Sequence, residues 1–460
     1  MTTYRFAFFL FACCGLYSCA NIIPPGGGDR DSLPPKLVMA LPKDSSVNVS
    51  PKKIELNFDE FVALDNWYSN LIISPALKYS PNVNAKLRNV TVTIKDTLEP
   101  NTTYLLDFGN AIKDVNEGNV AKNFRYAFST GSKLDENTYA GRVILAETGK
   151  TDSNMYVMLY KDLSDSAVYK TGPRYYTRMN SRGEFSFHNL PEARFAVYVI
   201  DNHSPSKTYT DSSLLFAFRT TPIDISAVTK PDTLYAYQAY KKKTEQAASP
   251  VRLPGNAAND KRLRYTTTLE NGFQSILDSL GLVFQKKLTV FDSTKIVLYD
   301  TSYRKIEGYT LFLDSTQTKL SLIYPWKQGT PYRLVIAKDA VADSLGASLA
   351  KADTLRFTTR KESDYGSIRL RFPNIDLARN PVVQLLKNDI LVESFPLTAN
   401  EISRKLYAPG TYDIQILYDT NRNGKWDPGQ FLPNKRQPEI VERLPKQLAV
   451  RANWDNDVTL

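Results

Sequence analysis

Short runs in which apolar and polar residues strictly alternate recur along this chain. Ile54-Glu55-Leu56-Asn57-Phe58 and Asn89-Val90-Thr91-Val92-Thr93-Ile94 place every second side chain on one face, which predicts half-buried β-strands. Pro100-Asn101-Thr102-Thr103-Tyr104-Leu105-Leu106 predicts a turn feeding a strand, and Tyr126-Ala127-Phe128-Ser129-Thr130 predicts another. Phe185-Ser186-Phe187-His188 and Tyr412 to Ile416 continue the alternation, and the apolar run Phe195 to Ile200 reads as a further strand. The 27 tyrosines and 22 phenylalanines, with abundant Val, Ile and Thr, favour strands over helices. The chain is therefore expected to be all-β.

The same order of signals occurs twice. Leu280-Gly281-Leu282-Val283-Phe284 stands where Ile54 to Phe58 stood. Gln328-Gly329-Thr330-Pro331-Tyr332-Arg333-Leu334 repeats the turn and strand that begin at Asn101, and Ala340 to Gly346 repeats Ala111 to Gly118 with one residue fewer. The spacing from Asp114 to Phe128 equals that from Asp343 to Phe357. Many short strands with turn signals over about a hundred residues predict a β-sandwich. Units at 35–131 and 265–361 follow. Each is followed by another β-rich unit, at 137–236 and 365–460, in which Pro191 to Asp201 and Pro409 to Asp419 are equally spaced.

The Phe strand, the Thr-x-Tyr strand, the Ile112-Lys113-Asp114 or Val341-Ala342-Asp343 loop and the final Phe-x-Thr make units 35–131 and 265–361 resemble the bacterial Ig-like domain of S-layer and envelope proteins. Asn101 replaces a glycine of that pattern. Units 137–236 and 365–460 resemble regulatory-like and prealbumin-like β-sandwiches of Bacteroidota envelope proteins. The resemblances imply tandem Ig-like and prealbumin-like β-sandwich domains joined by linkers, in an envelope setting. They imply no activity, because such folds host many functions.

The first residues add a location. Arg5, the apolar stretch Phe6 to Leu16 and the small Ser18 before Cys19 read as a signal over 1–18, too short to span a bilayer permanently. Leu16-Tyr17-Ser18-Cys19 resembles the lipobox of bacterial lipoproteins, which implies cleavage before Cys19 and lipid on its thiol. Residues 19–34, with Pro24-Pro25-Gly26-Gly27-Gly28, read as a tether. The first acid of that tether is Asp29, which leans the anchored chain towards the periplasmic face of an outer membrane.

Cysteine and histidine narrow the chemistry. The 3 cysteines are Cys13, Cys14 and Cys19, so a cleaved chain keeps only a lipid-capped thiol. That excludes a disulfide framework, a thiolate zinc site and a cysteine nucleophile. His188 falls on an outward strand position and His203 in a turn, and neither stands near a nucleophile motif. The net charge of +10 is partly local. Lys241, Lys242, Lys243, Arg252, Lys261, Arg262 and Arg264 cluster among Pro, Ala and Gly, which reads as a basic linker over 237–264 and not as a nucleic-acid site.

One loop carries ligand chemistry. Asp419, Asn421 and Asn423 alternate, Gly424 follows, and Lys425 (through its carbonyl) and Asp427 complete a pattern suited to calcium. Gln430 stands where an EF-hand has its bidentate Glu. The same residues also suit an Asx-rich turn closed by side-chain-to-backbone bonds. Both readings stand at this point.

Three functions fit these features to different degrees. The first is a non-catalytic, lipid-anchored envelope protein, its sandwiches acting as spacers and as an interaction scaffold for an outer-membrane protein or complex. The second is glycan binding through surface aromatics such as Trp67, Trp326, Trp426 and Trp454. The third is a hydrolase using paired carboxylates, for which no segment remains.

Overall fold

The computed structural model describes residues 30–204, 207–227, 230–240 and 262–460. It is almost wholly β, as tandem β-sandwiches, and among the described residues no helix is long and apolar enough to cross a membrane. The signal, Cys19, the first part of the tether and residues 241–261 of the basic linker lie outside the described residues.

The first sandwich pairs its strands in the order Leu37–Leu41, Lys53–Phe58, Asn89–Thr93, Asn82–Lys86. Ile72–Ser74, Thr103–Gly109 and Phe124–Ser129 form its opposite sheet, and Val62–Leu64 with Ile112–Asp114 closes one end. Alternation is met residue by residue: Ile54, Leu56 and Phe58 are buried while Glu55 and Asn57 are not. The core these side chains build also takes in Val90, Val92, Leu106 and Tyr126.

Residues 265–359 repeat this topology. Tyr265–Thr267, Leu280–Phe284, Lys319–Ile323 and Thr310–Leu313 form one sheet in that order. Ile296–Tyr299, Pro331–Ile336, Asp353–Thr359 and Phe273–Gln274 form the other in that order, and Leu288–Phe291 with Val341–Asp343 is the end ribbon. The repeat extends to side chains. Tyr104 stacks on Phe128 with centroids 5.4 Å apart, and Tyr332 stacks on Phe357 at 5.8 Å. Asn101 and Gly329 both sit in the left-handed region, at φ 51° and 60°. Asn tolerates that conformation better than most side chains, so it stands in for the glycine without changing the turn.

The buried aspartate of each end ribbon explains the shared loop. Asp114 accepts from the backbone N–H of Glu117, Gly118 and Asn119, and Asp343 accepts from Leu345 and Ala347. Each carboxylate replaces the partners that a tight turn leaves its amides without.

The second and fourth sandwiches share another topology. Glu184–Leu190, Asn137–Leu145 and Asp232–Ala236 form a sheet whose last pairing is parallel; Glu401–Tyr407, Gly366–Arg371 and Asp455–Thr459 repeat it. Opposite lie Tyr175–Arg178, Met155–Tyr160, Arg194–Asp201 and Phe216–Phe218, repeated as Ile390–Pro396, Pro381–Lys387, Gly410–Tyr418 and Ile440–Arg443.

Candidate functional site

The loop between Gly410–Tyr418 and Ile440–Arg443 holds the sequence-predicted ligand residues. Asp419 is 2% exposed; its carboxylate accepts from Asn423 N–H at 3.2 Å and Gly424 N–H at 2.7 Å. Asn421 Oδ1 accepts from Asn423 N–H at 3.0 Å, and Asn423 Oδ1 from Lys425 N–H at 2.7 Å. Both side-chain amides donate to Asp427 Oδ2, at 2.6 and 2.7 Å. The five residues Asp419, Asn421, Asn423, Lys425 and Asp427 thus come together as a chain of Asx turns. Gly424 occupies φ 75° at the sharpest point.

Glu439 completes the loop, although the calcium-type spacing did not reach it. It is 6% exposed and accepts from Thr420 N–H and Oγ1–H, both at 2.7 Å, and from Asp427 N–H at 3.0 Å. Its backbone carbonyl accepts from the Trp426 indole at 2.8 Å. Glu439 therefore ties both ends of the insertion together. Among the described residues no group of three or more His, Cys, Asp or Glu is placed to hold a metal ion. The Asp419 carboxylate, Asn421 Oδ1, Asn423 Oδ1 and Asp427 Oδ2 are engaged by N–H groups of the loop itself.

What the braced loop delivers is an aromatic plug. Phe431, at its far end, is 4% exposed, yet its neighbours belong to the second sandwich. Its ring centroid lies 5.0 Å from Phe218, 5.4 Å from Phe216, 5.5 Å from Tyr198 and 6.0 Å from Tyr169. Edge-to-face and tilted packing of this kind adds to the area buried. Around the plug, Lys435 Nζ pairs with Asp165 at 2.5 Å, Gln437 donates to Phe218 O at 2.9 Å, and Val441 N–H donates to Ala146 O at 2.8 Å. The second and fourth sandwiches are thereby clasped, with a shared apolar core that includes Met158, Ile200 and Tyr237.

Neighbouring sandwiches are also joined. Arg174 makes two bonds of 2.6 Å to the Glu99 carboxylate, and that ion pair holds Glu99 below the usual carboxylate range. Ala76 N–H donates to Arg174 O at 2.9 Å. Between the third and fourth sandwiches, Tyr365 accepts from Ile276 N–H at 2.9 Å and bonds Ser275 Oγ at 3.0 Å. His188 sits half-buried beside Ser186, and burial pushes its imidazole below the ordinary value; His203 contacts Asp201 in an exposed turn.

Fold and loop together describe a chain of tandem β-sandwiches, two of them clasped by a buried aromatic plug. Residues 31–130 match the family model described as the bacterial Ig-like domain, which assigns the first sandwich to that fold. No curated protein matches the chain. Among solved structures, the chain is similar to Escherichia coli α2-macroglobulin over domains MG0-NIE-MG1, with 16% identity, 40% of this chain and 72% of that chain covered, and a TM-score of 0.20. It is similar to BcpA, the major pilin subunit of Bacillus cereus, with 10% identity, coverage of 70% and 98%, and a TM-score of 0.16. It is also similar to the N-terminal part of the bacterial S-layer protein SbsC, with 14% identity, coverage of 44% and 44%, and a TM-score of 0.16.

Proposed function

We propose that this chain is a non-catalytic envelope lipoprotein, held to the outer membrane by lipid on Cys19, whose clasped sandwiches form a rigid scaffold for an outer-membrane protein or complex. The clasp carries the reading: a buried Phe431 plug fixes the relative placement of two sandwiches that are far apart in the chain, which suits presenting surfaces rather than performing chemistry. The Ig-like match and the signal-like start support the envelope setting. The periplasmic face is favoured by the non-acidic residues that follow Cys19.

The surface most suited to a protein partner is the edge strand Ile390–Pro396. Its Ile390, Leu391 and Val392 are 70%, 51% and 51% exposed, and it pairs on one side only. An apolar strand edge of this kind is a template for another chain. Affinity capture of the native lipoprotein after mild cross-linking tests the proposal. A stable envelope-protein partner, lost on Val392→Lys, is expected. Recovery of the lipoprotein alone overturns it.

A further inference from the structure

A cleft of about 550 Å³ opens where the first and second sandwiches meet. Trp67, Tyr68 and Tyr79 line it from the first sandwich, and Tyr176 and Lys207 from the second, with Lys78 at its rim. Trp67 is anchored on the first core and Tyr176 on the clasp core, so these rings are held from behind. Tyr68 and Tyr79 are 73% and 54% exposed. The walls are fixed by the paired bonds of Arg174 to Glu99, by Ala76 N–H to Arg174 O, and by Arg178 to Asn70 O at 3.1 Å.

Its charge has one sign. Lys78 and Lys207 line the cleft and no Asp or Glu does. Lys207 Nζ lies 4.7 Å from the Tyr176 ring centroid and Lys78 Nζ 5.3 Å from that of Tyr79, and neither pairs with a carboxylate among the described residues. A ligand matching these walls offers flat C–H faces to several rings and an anionic group to the lysines. A peptide strand is disfavoured, because the strand edges Ile72–Ser74 and Tyr175–Arg178 are turned towards each other and joined through Ala76 and Arg174.

We infer that this cleft binds an acidic saccharide chain, with Trp67, Tyr68, Tyr79 and Tyr176 stacking on sugar rings and Lys78 and Lys207 reading their carboxylates. The inference stands apart from the scaffold role and does not depend on it. Calorimetric titration of the full chain with an oligogalacturonate, a neutral galacto-oligosaccharide and a polyglutamate peptide tests it. The oligouronate is expected to bind about tenfold or more tightly than either comparator, a difference of about 1.4 kcal/mol. Tyr68→Ala and Tyr79→Ala, both at exposed positions that leave the fold intact, are each expected to weaken it about tenfold. Lys78→Gln with Lys207→Gln is expected to erase the preference over the neutral sugar. No heat with the oligouronate, equal binding of the neutral sugar or of polyglutamate, or binding untouched by these substitutions overturns the inference.

Discussion

The ring of Phe431 packs 5.0 Å from the ring of Phe218, joining the fourth sandwich to the second although the third lies between them in the order of the chain. The contact makes one apolar body of two units that follow different neighbours along the chain. It also gives the Asp419–Glu439 loop a purpose that needs no ligand: the loop is a stiff bracket that holds a plug in its socket.

Removing the plug is expected to separate the two sandwiches without unfolding either. Large-to-small substitution of a buried Phe costs about 3–5 kcal/mol. In Phe431→Ala that loss falls on the clasp, since Phe431 contributes to no other core. Carbodiimide cross-linking offers a direct measurement, because Lys435 and Asp165 are in contact. The Lys435–Asp165 cross-link is expected in the parent chain and is expected to disappear in Phe431→Ala. An undiminished yield would show that the plug does not hold the clasp.

Glu439→Ala is expected to loosen the bracket. The change leaves Thr420 N–H and Asp427 N–H without the acceptor they have in a partly buried setting. Stranding a fully buried donor costs about 1–3 kcal/mol, and water reaching these two brings the cost to the lower end, about 1 kcal/mol. Hydrogen exchange at the amides of Thr420, Gly424 and Asp427 is expected to rise together. If only Thr420 exchanges faster, Glu439 is a local cap and not a brace.

Because the loop closes on its own N–H groups, melting of the full chain is expected to be the same in EDTA as in calcium. A calcium-dependent rise of several degrees, abolished by Asp419→Asn, would instead place an ion among Asp419, Asn421, Asn423, the Lys425 carbonyl and Asp427.

The buried aspartates predict a pH dependence. Burial works against the charge of Asp114, but the amides of Gly118, Glu117 and Asn119 outweigh it and hold the carboxyl below its ordinary range. Asp343 is held down by the Ala347 amide, against burial, with Lys286 at 3.2 Å adding to the effect. A carboxyl lowered on folding stabilises the folded state fully above its unfolded value, about pH 4, and the contribution is lost as pH falls through the folded value. Asp114→Asn and Asp343→Asn are therefore expected to lower stability at neutral pH and to flatten its decline below about pH 4. Equal acid midpoints for parent and variants would rule the aspartates out as the cause.

The difference between what the pattern of residues foretold and what it did not has a physical basis. Ile54 to Phe58 was readable because one face of that strand meets a core and the other meets water. The loops at Asp114 and Asp343 were readable because one carboxylate satisfying a turn is a local matter. Phe431 belongs to an isolated pair, Phe431-Leu432, between Gln430 and Pro433, and no periodicity marks it, since its socket is formed by residues far earlier in the chain. Glu439 lies beyond the spacing of the Asp419 loop and joins it only once the insertion folds back. A signal did exist on the socket side. Phe195 to Ile200 is an unbroken apolar run and is buried on both faces, so something had to cover the outer one.

Two glycines mark how closely the clasped units approach, and they furnish a probe that removes no side chain. A Cβ on Gly149, which holds φ 65°, would come within 2.9 Å of Val441 O and 3.0 Å of Arg443 N, both backbone atoms of the fourth sandwich. A Cβ on Gly429 would meet the Tyr237 ring of the second sandwich at 2.7 Å and Arg436 O at 3.0 Å. Backbone cannot give way as a flexible side chain can, so Gly149→Ala also carries the strain of a left-handed alanine. Gly149→Ala and Gly429→Val are expected to open the clasp as Phe431→Ala does, by pushing the units apart instead of removing what draws them together. Small-angle scattering is expected to report a larger radius of gyration for all three variants while circular dichroism keeps its β signature. If Phe431→Ala expands the chain and the glycine variants do not, the plug acts by filling the socket alone, and the close backbone approach at Gly149 is a consequence of the clasp and not a condition for it.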